Sequence, residues 1–538
     1  MPYSWHQDTG HLIYPAPSVM AWRAGQMPLA GRVVDLNTHV AIPADLDNLQ
    51  TLAARGIVTP EPLSLWNYAW PRSPAIKAPY KAQIVTANLL TLHPQMYVLS
   101  EMRTGKTLSS LWAADFIMRL NPGMRAMVWA SLSTLKDVWE REIFANFLGA
   151  RRCALLTAGK RWDRLDSDVD FYILNHDAVR DGVEFDEIGR MKIEGFAREL
   201  MARRDIQICI CDEASVFKDA SSHRSRVARK IMLTKKYRWA MTGSPTPQSP
   251  TDIHGLRKLI EPLYGESMRV LRTRFLIPTH SGKMEPKPGA YEEAAEMLRP
   301  AVRFKAAECF DIPPQSITYR YAERTDAQNK VLRDLRQQAM ALIQVDPTLA
   351  KPASVANAAA LRIKTLQVLS GVIYDDDHTG HAIPAKPRYA VLNEIAAETS
   401  DKVIILSPFT SVLNAVKRYI GSDVCEYVDG TITAGRRSEA IANFKTNDKK
   451  RFLVAHPEVL KFGLDLAEAS VIVWFGPTDK TEAWIQANKR ICGPRQKKPT
   501  LVVCVESHSL EREVYERLQN RADMQDVLLK LIEEGGKK

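Results

Sequence analysis

From about residue 75 onward, apolar and polar positions follow a repeating scheme. Short apolar runs of strand length alternate with stretches whose apolar residues recur every three or four positions, the spacing of a helix with one buried face. Met96–Leu99, Ala126–Trp129, Phe171–Leu174, Ile206–Cys211 and Trp239–Met241 form a first set of predicted strands. Val403–Leu406, Phe452–Val454, Val471–Trp474 and Leu501–Val505 form a second. Strands alternating with helices predict an α/β protein built on open parallel sheets. Between the sets, an Ala-, Leu- and Gln-rich region at about 320–375 predicts a helical insertion, preceded by the Pro- and Lys-bearing stretch Pro278–Pro288. Residues 1–73 are different: rich in Pro and Trp, weakly periodic, and ending in the linker-like Trp70-Pro71-Arg72-Ser73-Pro74. The pattern therefore predicts a small N-terminal accessory domain (1–73), read as a structural brace, a first lobe (74–312), and a second lobe (313–538) carrying the insertion.

One strand-to-helix junction carries phosphate chemistry. Tyr97-Val98-Leu99 ends a strand, and Leu108, Leu111, Trp112 and Phe116 stripe the helix that follows. Between them stand Ser100, Glu101, Met102, Arg103, Thr104, Gly105, Lys106 and Thr107. Backbone N–H groups at a helix start attract phosphate, and the helix dipole assists. Gly105 permits close backbone approach. Lys106 suits the outer phosphates and Thr107 suits Mg²⁺. Ser100 stands where the general phosphate-loop pattern has its first glycine. A second junction, Ile208-Cys209-Ile210-Cys211-Asp212-Glu213, is an apolar strand ending in two acids. Asp212 there is a ligand for Mg²⁺ through water, and Glu213 a base for the attacking water.

Composition narrows the class. The 538 residues exceed one ordinary core and suit two or three domains. The net charge of +11 permits a polyanionic partner. Basic runs at Arg224–Lys230, Lys235-Lys236-Arg238, Lys449-Lys450-Arg451 and Arg495–Lys498 point the same way. Seven scattered cysteines without a CxxC pair read as reduced thiols, and no zinc site can be assembled from their spacing. Cys209 and Cys211 alternate and should share one face of a strand. No apolar run approaches the length of a membrane span, and the N-terminus lacks a basic-then-apolar signal pattern. The expectation is a cytoplasmic protein with no membrane association.

In order from about Pro79 to Leu529, the chain resembles superfamily-two helicases, most closely the Swi/Snf branch of duplex-DNA translocases. Pro79-Tyr80-Lys81-Ala82-Gln83 looks like the motif whose glutamine reads adenine. Glu101-Met102 before Gly105-Lys106-Thr107 is similar to that branch's phosphate loop, although Arg103 stands where the branch has Gly. Val128–Ser133 with Trp139–Glu142, and Asn175-His176-Asp177, resemble strand-tracking blocks. Asp212–Ser215 with Phe217-Lys218-Asp219 resembles the acid motif and its extension. Arg238–Pro245, continued by Leu256 and Pro262, resembles the block coupling ATP state to DNA grip. In the second lobe, Val403–Phe409, Asp429-Gly430-Thr431 with Arg437 and Phe444, Gly463-Leu464-Asp465-Leu466 with Ala469, and Gln486-Ala487 with Arg490 resemble the remaining blocks. The family's last arginine falls seven residues after Gln486, where this chain has Gly493. Either a local shift brings Arg495 into the cleft, which is the preferred reading, or Arg490 works alone.

The resemblance implies two RecA-like lobes in tandem, with ATP and Mg²⁺ as cofactors. It implies nucleotide contacts at Gln83, Ser100–Thr107, Gly463 and Asp465. It implies nucleic-acid contacts at Ser131, Ser133, Asn175, Thr242, Phe409 and Thr431. Catalysis falls to Lys106 and Glu213, with Arg490 or Arg495 across the cleft. The expected function is an ATP-dependent DNA translocase, with duplex or branched DNA as partner and DNA-bound proteins beyond it. The alternative is an ATP-gated DNA clamp that hydrolyses little. A monomer of bacterial or phage origin is expected from the compact chain.

Overall fold

The computed structural model describes residues 3–70, 78–181, 183–185, 187, 191–246, 248–261, 263–279, 284–345, 353–375, 377–461 and 465–535. The chain divides into two compact units: Met1–Cys309 together with Gln525–Lys538, and Phe310–Met524.

The first unit is built on a seven-stranded parallel sheet. Its strands run in the order Ala301–Val302, Gln95–Val98, Tyr237–Met241, Ile206–Cys211, Arg125–Ala130, Phe171–Asn175 and Cys153–Leu155. Both faces are covered. Cys209 and Cys211 point into one apolar cluster with Trp129, Phe217, Val227 and Leu256. Ile208 and Ile210 point into another with Trp112, Phe116, Val128 and Trp239. This period-two division of one strand between two cores explains why it reads as a continuous apolar run. All five strands expected for this lobe are present. The short strands Cys153–Leu155 and Ala301–Val302 carry too few apolar residues to stand out in the sequence.

The N-terminal segment belongs to the same unit. Ser4–His6, His11–Pro15, His39–Pro43 and Val34–Asp35 form a small antiparallel sheet beside the helix Leu46–Ala54. Leu12, Tyr14, Val40, Ile42, Leu49 and Leu52 make its core, and Leu92 of the adjoining helix Lys81–Leu92 joins them. Asp45 caps the Leu46 helix through its carboxylate, which accepts the Asn48 N–H at 2.8 Å.

The second unit holds a six-stranded parallel sheet, ordered Gln315–Tyr321, Thr500–Glu506, Ala469–Trp474, Lys402–Leu406, Phe452–Ala455 and Cys425–Val428. The fold is therefore two RecA-like α/β lobes in tandem with added helices. The stretch expected to be helical contains the helices Asp326–Val345 and Ala353–Leu369. It also overlaps the strand Gln315–Tyr321 and ends in the strand Val372–Tyr374, which pairs with Gly380–Ala382 just beyond it. The C-terminal stretch assigned by sequence to the second lobe is divided as well. From Gln525 the helix Ser509–Gly535 groups with the first unit, because Leu528, Leu529 and Ile532 bury in its core.

Candidate nucleotide site

In the first unit the strand Tyr237–Met241 lies between Gln95–Val98, which leads into the Lys106 loop, and Ile206–Cys211, which leads into Asp212. All three run parallel, so their C-terminal ends deliver Ser100–Thr107, Thr242 and Asp212-Glu213 to one edge.

The loop is shaped by its backbone. Gly105 caps the helix Lys106–Leu120 with φ +79°. A Cβ there would collide with the Gln83 amide and the Tyr80 hydroxyl, and the positive φ strains any residue with a side chain, so the position favours glycine. Arg103 also adopts a positive φ, +69°. The loop keeps the backbone that the family's glycine allows, at a cost of about 1–2 kcal/mol for a residue with a side chain. Lys106 Nζ donates to the carbonyls of Ser100 and Glu101, both at 2.8 Å. Thr104 Oγ1 donates to the Glu101 carbonyl at 2.8 Å. Gln83 is buried, and its Oε1 accepts the Tyr80 N–H at 3.2 Å, locking the start of the helix Lys81–Leu92 beside Gly105. Met102 is half-buried within the loop. Thr107 is the second residue of the helix Lys106–Leu120.

A partner for the loop comes from two hundred residues downstream. The Phe304 N–H donates to Ser100 Oγ, the Glu101 N–H to the Phe304 carbonyl, and the Ala306 N–H to Glu101 Oε2, each at 3.0 Å. The sequence reading does not include Phe304 or Ala306, because both bonds use backbone amides and leave no residue-type signal.

Asp212 is half-buried and densely held. Its Oδ2 accepts the Trp139 indole N–H at 3.2 Å and its Oδ1 accepts the Glu213 N–H at 3.0 Å. Its carbonyl lies 2.7 Å from His176 Nε2. Burial pushes the Asp212 carboxyl up, opposed first by the Lys106 charge and then by these two N–H donors. Lys106 and Asp212 thus sense each other electrostatically across the intervening strand. Burial holds His176 neutral, pushed down to about 4. Trp139 and His176, read from sequence as parts of strand-tracking blocks, therefore support the acid pair. Glu213 takes a positive φ of +48° at the strand-to-loop turn.

Among the described residues, no cluster of three or more His, Cys, Asp or Glu could hold a metal by itself. One carboxylate, Asp212, and a helix-start threonine, Thr107, delivered to the same sheet edge instead suit Mg²⁺, which keeps its waters and takes other ligands from phosphate. The donor set fits.

Of the expected nucleic-acid residues in this unit, Ser131 is buried in a turn, with its Oγ 3.0 Å from Thr134 Oγ1 and 3.3 Å from Ser133 Oγ. Ser133 is exposed and Asn175 ends its strand half-buried. Thr242 is buried, and its Oγ1 accepts the Ser244 N–H at 3.0 Å. Pro262 lies outside the described residues.

The second unit brings Asp465 and Arg495 together. Arg495 Nε and Nη2 reach Asp465 Oδ2 at 2.6 and 2.5 Å, and Nη2 lies 3.4 Å from Glu468. Arg495 is still more than half exposed, at 56%. Arg490 is only 5% exposed, and its Nε donates to the Leu460 carbonyl at 2.6 Å. Gly463 lies outside the described residues. Phe409 is half-buried at the start of the helix Thr410–Ile420, 6.5 Å from the Tyr374 ring. Thr431 is exposed, and its hydroxyl donates to Asp429 Oδ1 at 2.7 Å.

No helix among the described residues is long and apolar enough to cross a membrane. The chain is 22% identical over 427 residues to DNA repair and recombination protein RDH54 of Saccharomyces cerevisiae, covering 71% of this chain and 44% of that protein. It is 20% identical over 470 residues to DNA repair and recombination protein RAD54-like of Drosophila grimshawi, covering 80% and 59%. A probable chromatin-remodeling complex ATPase chain of Oryza sativa is 23% identical over 433 residues, covering 78% and 37%. The chain spans less than two thirds of the length of each. The Sulfolobus solfataricus SWI2/SNF2 ATPase core in complex with dsDNA aligns with a TM-score of 0.39 and 18% identity, over 86% of this chain and 96% of that one. The SNF2-related domain family matches residues 97–351, and the helicase conserved C-terminal domain family matches residues 387–492. With the two domains in this order across most of its length, the chain belongs to the Swi/Snf-like family of superfamily-two helicase-type ATPases.

Proposed function

We propose that this protein is an ATP-dependent translocase on duplex or branched DNA. The observation that carries the reading is the delivery of Lys106 and Asp212 to one edge of the sheet, from strands on either side of the Thr242 strand and close enough for the Lys106 charge to act on the Asp212 carboxyl. Lys106 neutralises the outer phosphates. Thr107 and Asp212 hold Mg²⁺, which when bound shields the charge of the transferring phosphoryl group. Glu213 orients the attacking water and takes its proton. Gln83, buried beside Gly105, would read the adenine edge. Thr242 follows the strand between loop and acid pair, so a shift in either reaches it through a hydrogen-bonded ladder. Ser133, Asn175 and Thr431 would hold phosphates through hydroxyl and amide groups, with Ser131 shaping the turn that carries Ser133 and Phe409 offering an apolar contact to the nucleic acid. Such contacts track a duplex without reading its sequence.

We assign the completing arginine to Arg495. Its side chain is exposed and paired to acids at the surface, whereas Arg490 is engaged with a buried carbonyl. The similarity to RDH54 and RAD54-like proteins supports a role in DNA repair or recombination, and DNA-bound proteins as further partners.

The test is ATP turnover without DNA, with single strands and with duplex, alongside Lys106→Ala and Glu213→Gln. Duplex should stimulate turnover, and each variant should lose about 100-fold or more. A triplex-displacement assay then reads movement. Turnover unaffected by duplex would leave the ATP-gated clamp as the better reading.

A further inference from the structure

The side chain of Arg303 is fully buried at the end of the edge strand Ala301–Val302, next to the phosphate-loop strand. A guanidinium in such a place needs carboxylate partners, because removing its charge from water is costly unless it is paired and hydrogen-bonded. Two carboxylates are in reach. Asp526 Oδ1, from the C-terminal helix, accepts from Nη2 at 3.2 Å. Glu101 Oε1, in the phosphate loop, lies 3.9 Å from the same nitrogen, too far for a hydrogen bond. Among the described residues, Arg303 Nε and Nη1 find no acceptor. The guanidinium is therefore bonded to one acid, close to another, and incompletely satisfied by both.

The two acids are unlike. The Asp526 side chain is 53% exposed, and water competes for it. Glu101 is 18% exposed and sits in the loop whose carbonyls hold the Lys106 ammonium. An acid in that loop opposes a triphosphate unless a cation neutralises it, because like charges a few ångströms apart repel strongly away from bulk water. The next residues on the Arg303 segment already grip the loop, through Phe304 with Ser100 and Ala306 with Glu101. On the same turn of the C-terminal helix, Gln525 Nε2 donates to the Gly243 carbonyl at 3.2 Å, beside Thr242.

We propose that Arg303 is a positioning residue for nucleotide binding, neutralising Glu101 in the phosphate loop, and that Asp526 restrains nucleotide affinity by drawing Arg303 away. This rests on the nucleotide site proposed above. The C-terminal helix turn thereby sets the charge that the loop presents to the incoming phosphates. Arg303 acts through Glu101 and need not touch the nucleotide.

The experiment measures equilibrium affinity for a fluorescent ATP analogue with Mg²⁺, together with the KM and kcat of ATP turnover, in the full chain. Asp526→Ala removes the one acid hydrogen-bonded to Arg303, so the melting temperature should fall modestly, while Arg303 turns to Glu101 and nucleotide binding tightens several-fold. Arg303→Gln should weaken binding about tenfold or more, with KM moving further than kcat. In the Arg303→Gln background, Asp526→Ala should lose its effect, since both act through one contact. Should Arg303→Gln not fold, Glu101→Gln provides the same cycle, because it removes the charge that Arg303 serves. Unchanged affinity in Asp526→Ala, or an equal effect of Asp526→Ala with and without Arg303 or Glu101, overturns the proposal. Wild-type protein that binds the analogue but does not hydrolyse ATP would count against the motor and leave this proposal open to the same affinity test. No analogue binding at all, in a folded wild type, would remove the site on which both rest.

Discussion

The Tyr68 hydroxyl donates to Asp115 Oδ2 at 2.7 Å, joining the N-terminal segment to the helix that Lys106 begins. Asp115 is 1% exposed and also pairs with Arg151 at 2.7 Å and Arg119 at 2.9 Å. Around this contact, Trp70 packs edge-on against Trp112, and Trp66 lies tilted against Phe116. Tyr68→Phe should therefore lower stability by about 1–2 kcal/mol, the worth of a buried hydrogen bond to a charged group. Asp115→Ala should cost more, about 3 kcal/mol, because it also removes the hydrogen bonds to Arg151 and Arg119 and leaves Arg151 with Asp170 alone. Urea melts of the two variants check the order. A loss in Tyr68→Phe as large as that in Asp115→Ala would show that the hydroxyl does more than bridge.

Lys235 carries a second stability prediction. It is 3% exposed, and its Nζ donates to the carbonyls of Leu200 and Arg203 at 2.7 and 3.0 Å. Burial pulls its ammonium down to about 8. In the unfolded chain the same group holds its proton to about 10.4. Between these values the unfolded state binds more protons than the folded one, so the fold gains stability as pH rises from 8 to 10.4. The group's burden on the fold is thus fully present below pH 8. Lys235→Met should remove the pH dependence, a difference of about 2 kcal/mol across that window. Denaturation curves at pH 7.5 and 10 for both proteins read it directly.

Much of this fold was legible because both sheets are buried on two faces, and such strands read as unbroken apolar runs. Ile206–Cys211 and Val403–Leu406 are of this kind. Gln315–Tyr321 was not, because it lies at a sheet edge and its residues are exposed or half-buried throughout. The N-terminal sheet was missed for a similar reason: its strands are short, and only alternate positions of His11–Pro15 are buried. At the site, the residue types of Lys106, Asp212 and Glu213 announced themselves. Arg303, Phe304 and Ala306 did not, because their connection to the loop depends on chain closure over two hundred residues.

Charge on the track gives another outcome. If the basic groups behind the net charge of +11 hold DNA by its phosphates, binding displaces condensed counterions, and affinity falls with a steep power of salt concentration. For about six phosphate contacts, duplex affinity should drop roughly 10³-fold between 50 and 200 mM salt. DNA-stimulated turnover measured below saturation should fall in parallel, while turnover without DNA changes little. A flat salt profile would argue against a phosphate-tracking groove.

The choice between Arg490 and Arg495 separates stability from catalysis. Arg490 is buried, its Nε bonds the Leu460 carbonyl, and its own carbonyl accepts the Leu466 N–H at 3.1 Å. Arg490→Ala leaves a buried carbonyl short of a donor and opens space in the core, so it should destabilise by about 2–4 kcal/mol. Arg495 is more than half exposed, and its ion pairs with Asp465 and Glu468 are worth about 1 kcal/mol or less to the fold. Arg495→Ala should therefore melt close to wild type yet lose about 10³-fold in turnover, the usual scale for an arginine that neutralises the transferring phosphoryl group. Arg495→Lys should recover only part of this, since a lysine cannot present two parallel donors. Melting curves and duplex-stimulated turnover for the three variants decide it. An Arg495→Ala protein with wild-type turnover, beside a folded but inactive Arg490→Ala, would move the completing role to Arg490. The Asp465–Arg495 pair would then be a surface contact alone.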